Sequence, residues 1–418
     1  MESIEKTIYA YADWFTRLPV LVGRLYVNVI RGKELFSFQY NDDWIRSTDA
    51  GFTFDPDLRL YEGRQYTQDK PLFGVFSDSC PDRWGRLLMK RKEEIVARKE
   101  NRKPKALTES DFLLGVYDVT RSGALRFSLY ENGPFLSVEK DQPVPPWATL
   151  RSLEAASLAF EHGEDGQEEK WLRQLLAPGS SLGGARPKAS VEAPDGSLWI
   201  AKFPSKNDEW NSGAWEAVVN NLAVICGLNV PEAKLETFSD TGSTFLVKRF
   251  DRNKTRRIHF SSAMALLGKT DGMGAESVSY LDIASFIRAN GASPKQDLKE
   301  LWKRVVFNMA VSNTDDHLRN HGFLLTENGW TLSPMYDVNP DIYGNVLSLG
   351  ISENDNSISF ELAIETAKYY DIDDSDARNT AACIKKTICD NWHTVAVGYG
   401  LGNSAISRMK PAFAMEYK

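Results

Sequence analysis

Cysteine is scarce in this chain: Cys80, Cys226, Cys383 and Cys389 are the four among 418 residues, too few and too scattered for a disulfide framework or a CxxC metal site. No apolar run approaches the roughly 18 residues of a membrane helix, and the stretch from Met1 to Leu35 lacks a basic cluster leading into a long apolar run. These absences predict a cytoplasmic protein with reduced thiols. Excess positive charge is also missing. The formal net charge of −7 argues against a surface built wholly for nucleic acid. Neither a repeat of roughly 20 to 50 residues nor a low-complexity tract occurs, which excludes a solenoid.

What remains is an ordinary globular composition, 42% hydrophobic and 26% charged, on a chain long enough for two or three packed units and a cleft. Residues 1 to about 65 are dense in aromatic and β-branched residues and predict short antiparallel strands, with the best alternation from Leu21 to Ile30 and a turn at Tyr40-Asn41-Asp42-Asp43. Asp82 is placed to cap a helix through Met89. The basic run Lys90 to Lys105 reads first as a solvated helix and loop, and second as a docking surface. Ala124 to Phe127 predicts a further strand, and Pro143, Pro145 and Pro146 mark an internal boundary. Helices are expected at Leu150 to Phe160 and Trp171 to Ala177. Strands at Ala189 to Glu192 and Leu198 to Phe203 flank Asp195-Gly196, a hairpin signal because both residues tolerate positive φ. A helix from Ala214 to Cys226 and a strand from Phe245 to Phe250 follow. Beyond about residue 280 the pattern is mainly helical: Leu281 to Asn290, Leu298 to Val311, and much of Leu362 to Val397. Three parts are expected: residues 1–147, a nucleotide-holding lobe at 148–280 and a helical lobe at 281–418.

The chemistry concentrates in Asn313-Thr314-Asp315-Asp316-His317-Leu318-Arg319-Asn320-His321, a polar loop directly after an apolar helical face. An Asn328-Gly329 turn of type I′ would return the chain so that Asp337 comes near Asp315 and Asn320. One carboxylate to orient a hydroxyl, and an amide with a second carboxylate to hold Mg²⁺, suit phosphoryl transfer. Helix-end capping is the bland reading of Asp315 and Asn320, and a His317/His321 metal pair is another alternative. Lys202, on a strand among apolar residues, is a candidate phosphate cation with Glu216 as its helix partner; the two also read as an ordinary surface pair. The Ser180 to Lys188 segment suits a backbone cradle for phosphate and equally a surface loop, and it lacks the P-loop pattern.

Three blocks of these residues resemble the HipA family, the kinase toxins of bacterial toxin–antitoxin pairs: Phe76 to Arg86 with Leu113 to Val116 and Gly123 to Phe127, Ser181 to Lys188, and Asn313 to Asn320 with Tyr336-Asp337. The resemblance implies an α+β fold like that of protein and phosphoinositide kinases, two-lobed, with a helical C-terminal lobe and an additional β-rich N-terminal subdomain. It implies an ATP- and Mg²⁺-dependent serine/threonine protein kinase with Asp315 as base and Asn320 and Asp337 as metal ligands. Ser181, Gly183, Gly184, Ala185, Arg186, Lys188, Lys202, Lys248, Phe250, Asp315, His317, Arg319, Asn320 and Asp337 would lie at the nucleotide, with Ser181 also a site of autophosphorylation. Arg319 replaces the lysine of some members. Aminoacyl-tRNA synthetases are substrates of some relatives, and a small helix-turn-helix antitoxin is the implied partner, reaching operator DNA on the toxin's behalf. A small-molecule kinase and a nucleotide-gated binding module that transfers nothing are the competing readings.

Overall fold

A computed structural model describes residues 5–47, 52, 54–67, 69–136, 144–163, 168–179, 184–254, 256–272 and 277–415. It divides into two compact units, Met1–Lys206 with Asp251–Ser261, and Asn207–Phe250 with Ser262–Lys418. Among the described residues no helix is long and apolar enough to cross a membrane, and all four cysteines are free.

The first unit is built on an antiparallel sheet of five strands in the order Gln65–Tyr66, Lys33–Tyr40, Val20–Ile30, Lys6–Ala12, Leu125–Ser128. The alternation read between Leu21 and Ile30 is real: Leu25 and Val27 are buried while Arg24, Tyr26 and Asn28 point outward. Gly23 is required there, because a Cβ would run into the Gln39 carbonyl and the Phe38 ring. Phe38, Phe73, Phe76 and Phe127 pack on one another beneath the sheet at centroid distances of 5.3 to 6.1 Å. Tyr40 ends its strand, but the turn after it is a helix start, with Asn41 capping Asp42–Ile45.

Asp82 caps the helix Arg83–Lys99 by accepting from the Gly85 amide at 2.8 Å. Much of the basic run beyond it is spent on ion pairs, Arg91 with Glu94, Arg102 with Glu93 and Glu100, and Lys105 with Asp111. That is the solvated-face reading. Helices Leu150–His162 and Glu168–Gly179 lie where expected. The strands Lys188–Glu192 and Leu198–Lys202 form a hairpin, but only Gly196 has positive φ (78°), and Ala193 and Ser197 close a longer turn than the dipeptide signal implies. Pro143 and residues 164–167 lie outside the described residues.

The second unit carries a hairpin of Ala233–Ser239 and Gly242–Lys248 and the helices Ser212–Ile225, Tyr280–Asn290, Pro294–Ala310, Phe360–Thr366, Asp374–Gly398 and Asn403–Phe413. Pro294 opens its helix at the first turn, where its missing N–H costs nothing. Much of the stretch from Leu362 to Val397 is helical, as expected, with one interruption. The first helix ends at Thr366, a 3₁₀ turn covers Ala367–Tyr370, Asp371 turns left-handed (φ 58°), and Asp373 caps the restart through the Asp376 amide.

Gly322–Thr326 and Gly329–Leu332 pair as the expected hairpin, yet its two-residue turn is Glu327-Asn328. Gly329 adopts φ 124° and Asn328 is not left-handed, so the turn is not type I′ at Asn328-Gly329. The reason is local: a Cβ at Gly329 would meet the Asn290 carbonyl at 2.8 Å, and the glycine serves that close approach.

Candidate active site

The helix Pro294–Ala310 buries Leu298, Leu301, Trp302, Val305, Val306 and Met309, and Trp302 donates its indole N–H to the Ala363 carbonyl at 2.8 Å. Its polar continuation leaves the helix abruptly because Ser312 turns left-handed at φ 52°. Asn313 N–H returns to the Asn308 carbonyl at 2.8 Å, and a 3₁₀ turn at Leu318–Asn320 closes the loop.

Two successive carboxylates in this loop meet opposite surroundings. Asp316 is buried, and its Oδ2 accepts from the Tyr280 hydroxyl (2.6 Å), Asn308 Nδ2 (2.6 Å) and His321 Nε2 (2.9 Å). Burial works to raise its carboxyl, but His321 and Tyr280 outweigh that and hold it below the usual range. Asp315 is exposed. Partial loss of hydration raises its carboxyl, and the neighbouring Asp337, Asp316 and Asp341 add to the rise while His317 opposes it.

A second loop is laced onto the first. Tyr336 donates its hydroxyl to the Arg319 carbonyl at 2.6 Å, and Asn320 Nδ2 donates to the Asp315 carbonyl at 3.1 Å. Asp341 takes the Thr314 hydroxyl at 2.7 Å and gives its own amide to the Ser312 carbonyl at 3.0 Å. Gly344 is needed beside them, since a Cβ would strike the Thr314 side chain. Asp337 sits left-handed at φ 58°, a conformation that a short polar side chain tolerates better than most. Asp315, Asn320 and Asp337 are thus carried by two loops that share hydrogen bonds within one unit.

The remaining predicted residues distribute as follows. In the second unit the Phe250 ring lies 5.6 Å from that of Tyr336, Lys248 pairs with Glu232 at 3.2 Å, and Arg319 pairs with Asp271 at 2.6 Å. Glu216 is buried on the helix Ser212–Ile225. In the first unit Lys202 is buried at the end of its strand, Lys188 stands 3.5 Å from the equally buried Asp82, and Arg186 donates to the Phe203 carbonyl at 2.8 Å. Gly184 has φ 91° and precedes Ala185; Ser181 and Gly183 lie outside the described residues. His317 and His321 do not form a helical pair, because the segment between them is a 3₁₀ turn and His321 Nε2 is engaged by Asp316.

Sequence reasoning missed Asp316, Asn313 and Asp341 as organisers of the site. The one available signal was the doubled carboxylate at 315 and 316, which does not say which of the two is buried.

Family resemblance implies Mg²⁺, and the residues fit it. The donors are an amide and carboxylates, hard oxygen ligands. Among the described residues no group of three or more His, Cys, Asp or Glu gathers to hold an ion. Mg²⁺ commonly needs no such cage, taking one or two carboxylates and completing its shell with water and substrate phosphate. Partial loss of hydration leads the rise of the Asp315 carboxyl and three neighbouring aspartates, Asp337, Asp316 and Asp341, add to it, so the site gathers negative charge.

The model of the HipA-like C-terminal domain matches residues 180–392, more than half of the chain, and the chain belongs to that family. A provisionally named kinase of Sinorhizobium fredii, Y4mE, is 30% identical over 182 residues, 38% of this chain and 41% of that protein. A provisionally named kinase of Haemophilus influenzae is 30% identical over 138 residues, 29% of this chain and 40% of that protein. The chain therefore spans about two fifths of the length of these curated relatives. The HipA of Shewanella oneidensis MR-1, solved with HipB and its operator DNA, superposes with a TM-score of 0.68 at 17% identity, covering 97% of this chain and 95% of that one. That likeness establishes the α+β, HipA-type kinase fold.

Proposed function

We propose that this chain is an ATP- and Mg²⁺-dependent kinase that transfers the γ-phosphoryl group to a serine or threonine hydroxyl of a protein. One observation carries the reading: Asp315, Asn320 and Asp337 stand on two loops tied together by Tyr336 to Arg319 and Thr314 to Asp341. In the proposed reaction Asp315 orients the acceptor hydroxyl and takes its proton as the new P–O bond forms and the bond to the ADP leaving oxygen breaks. Asn320 and Asp337 hold Mg²⁺, which supplies charge to the phosphates. Lys202 is the proposed phosphate cation with Glu216 as its helix partner, and Gly184, Ala185, Arg186, Lys188, Lys248, Phe250, His317 and Arg319 are the proposed nucleotide contacts.

Ser181 is the proposed autophosphorylation site. Phosphate there adds roughly −1.5 to −2 charge to the proposed phosphate loop and lowers activity. A helix-turn-helix antitoxin is the proposed partner, with operator DNA reached only through it, and an aminoacyl-tRNA synthetase is one proposed acceptor. The family membership and the fold support this reading.

Purified protein with Mg²⁺ and γ-labelled ATP, alone and with lysate, tests it beside Asp315→Asn. Label on Ser181 or on a lysate protein, abolished in the variant, is the expected result. Label confined to small metabolites would replace the protein-kinase reading with a small-molecule kinase. Mg·ATP binding without any transfer would leave a nucleotide-gated binding module.

A further inference from the structure

The two loops that carry Asp315 and Asp337 are joined by more than their rims. A file of amides runs between them through the interior. Asn308 Nδ2 donates to Asp316, Asn313 Nδ2 donates to Asn308 Oδ1 at 3.1 Å, and Asn313 Oδ1 accepts the Asn339 backbone N–H at 3.3 Å. Asn339 Nδ2 then reaches Asp337 Oδ1 at 3.5 Å, the long end of the file. Asn308 and Asn313 are each 1% exposed, so neither amide has water as a substitute partner.

We propose that Asn313 is a positioning residue that couples the loop bearing Asp315 to the loop bearing Asp337, with Asp316 as the buried anchor of the file. Asp316 is held from three elements at once: the first residue of the helix Tyr280–Asn290, the helix Pro294–Ala310, and His321 beyond the 3₁₀ turn. Fixing Asp316 inward fixes its chain neighbour Asp315 outward. Asn313 then passes that placement on, because its amide donates to one loop's support and accepts from the other loop's backbone at the same time. Alanine does neither. Aspartate accepts from Asn339 but sets a carboxylate against the Asn308 oxygen. Both loops also hold a non-glycine residue in the left-handed region, Ser312 and Asp337, and such conformations persist where surrounding bonds over-determine them.

The inference rests on the phosphoryl-transfer reading for the roles of the two carboxylates, but the coupling can be measured without it. The full chain is compared as wild type, Asn313→Ala, Asn313→Asp and Thr366→Ala. Thr366 is a buried threonine whose hydroxyl bonds only its own helix, at the Leu362 and Ala363 carbonyls, and it controls for general destabilisation. Hydrogen exchange is followed at residues 312–321 and 336–341, and Mn²⁺ binding in the presence of ADP is followed by electron paramagnetic resonance.

Asn313→Ala is expected to speed exchange in both segments and to weaken Mn²⁺ about tenfold, as loss of an outer-sphere partner does. Asn313→Asp is expected to fall between it and wild type. Faster exchange confined to 312–321, or the same changes in Thr366→Ala at matched melting temperature, would overturn the coupling. If the wild type binds Mn²⁺ and ADP but transfers nothing, the kinase reading fails and the coupling stands. If the wild type takes up no Mn²⁺, the exchange data alone decide.

Discussion

Two buried polar clusters in this chain are built on an aspartate, and they are built differently. In the first unit Asp118 is 1% exposed and takes Arg126 at 2.6 Å and Arg257 at 2.9 Å, while Asp13 faces the same two arginines at 3.2 and 3.5 Å. Two cations and two anions cancel, and the four residues tie distant parts of the unit together. In the second unit Asp316 is surrounded by a phenol, an amide and an imidazole, with further carboxylates close by. The first arrangement is complete in charge and holds the fold. The second leaves negative charge over, at Asp315 and Asp337, where the proposed cation would offset it.

The sharpest way to break that contrast is to neutralise one aspartate in each cluster. Asp315→Asn is expected to lower phosphoryl transfer on the order of 10³-fold, about 4 kcal/mol of barrier, in line with loss of a general base. Its melting temperature should stay near that of wild type, since the Asp315 side chain is exposed and donates nothing to the core. Transfer and thermal unfolding measured on one preparation decide it; retained full activity would remove Asp315 from the mechanism.

Asp118→Asn is the mirror experiment. It removes the buried carboxylate that Arg126 and Arg257 share and leaves Asp13 as the carboxylate facing both, a loss of charge-assisted hydrogen bonds that costs about 2 kcal/mol. Urea unfolding should show that loss, while nucleotide affinity of the folded protein stays unchanged. A stable variant with weakened nucleotide binding would mean that the complete cluster is not merely a clamp.

How much of this was legible beforehand follows from where each signal lives. The strand alternation from Leu21 to Ile30 and the Asp82 cap are local patterns, and they read correctly, whereas the helix expected from Leu298 already starts at Pro294. The interruption at Asp371 was not read, because two helical faces on either side of one left-handed residue look like a single periodic run. Asp316 was not legible for a different reason. Its burial depends on Tyr280, 36 residues earlier, and on Asn308, 8 residues earlier, and no spacing within the Asp-Asp pair reports that. The same holds for Asp118, whose partners are 8 and 139 residues away.

The smallest predicted effect concerns two further buried groups of the first unit, and it is hidden in the wild type by cancellation. His259 lies stacked on Trp14 with ring centroids 4.6 Å apart, and burial pushes its imidazole down to about 3. The unfolded chain therefore binds the proton first, so the stability His259 contributes is present above its ordinary 6.5 and is lost as the pH falls toward 3. Burial pushes the Asp55 carboxyl the other way, up to about 6, although it accepts from the Val75 and Asp57 amides. There the folded state binds the proton first, and stability is lost as the pH rises from about 4 through 6. Between pH 4 and 6 each group changes stability by about 2 kcal/mol, in opposite directions, so their sum is nearly flat. Single variants separate them. His259→Phe should become less stable on raising the pH across that window, and Asp55→Asn less stable on lowering it, each followed by urea unfolding at fixed ionic strength. Parallel slopes in both variants would mean that neither group carries the pH dependence. It would then fall to other ionisable groups.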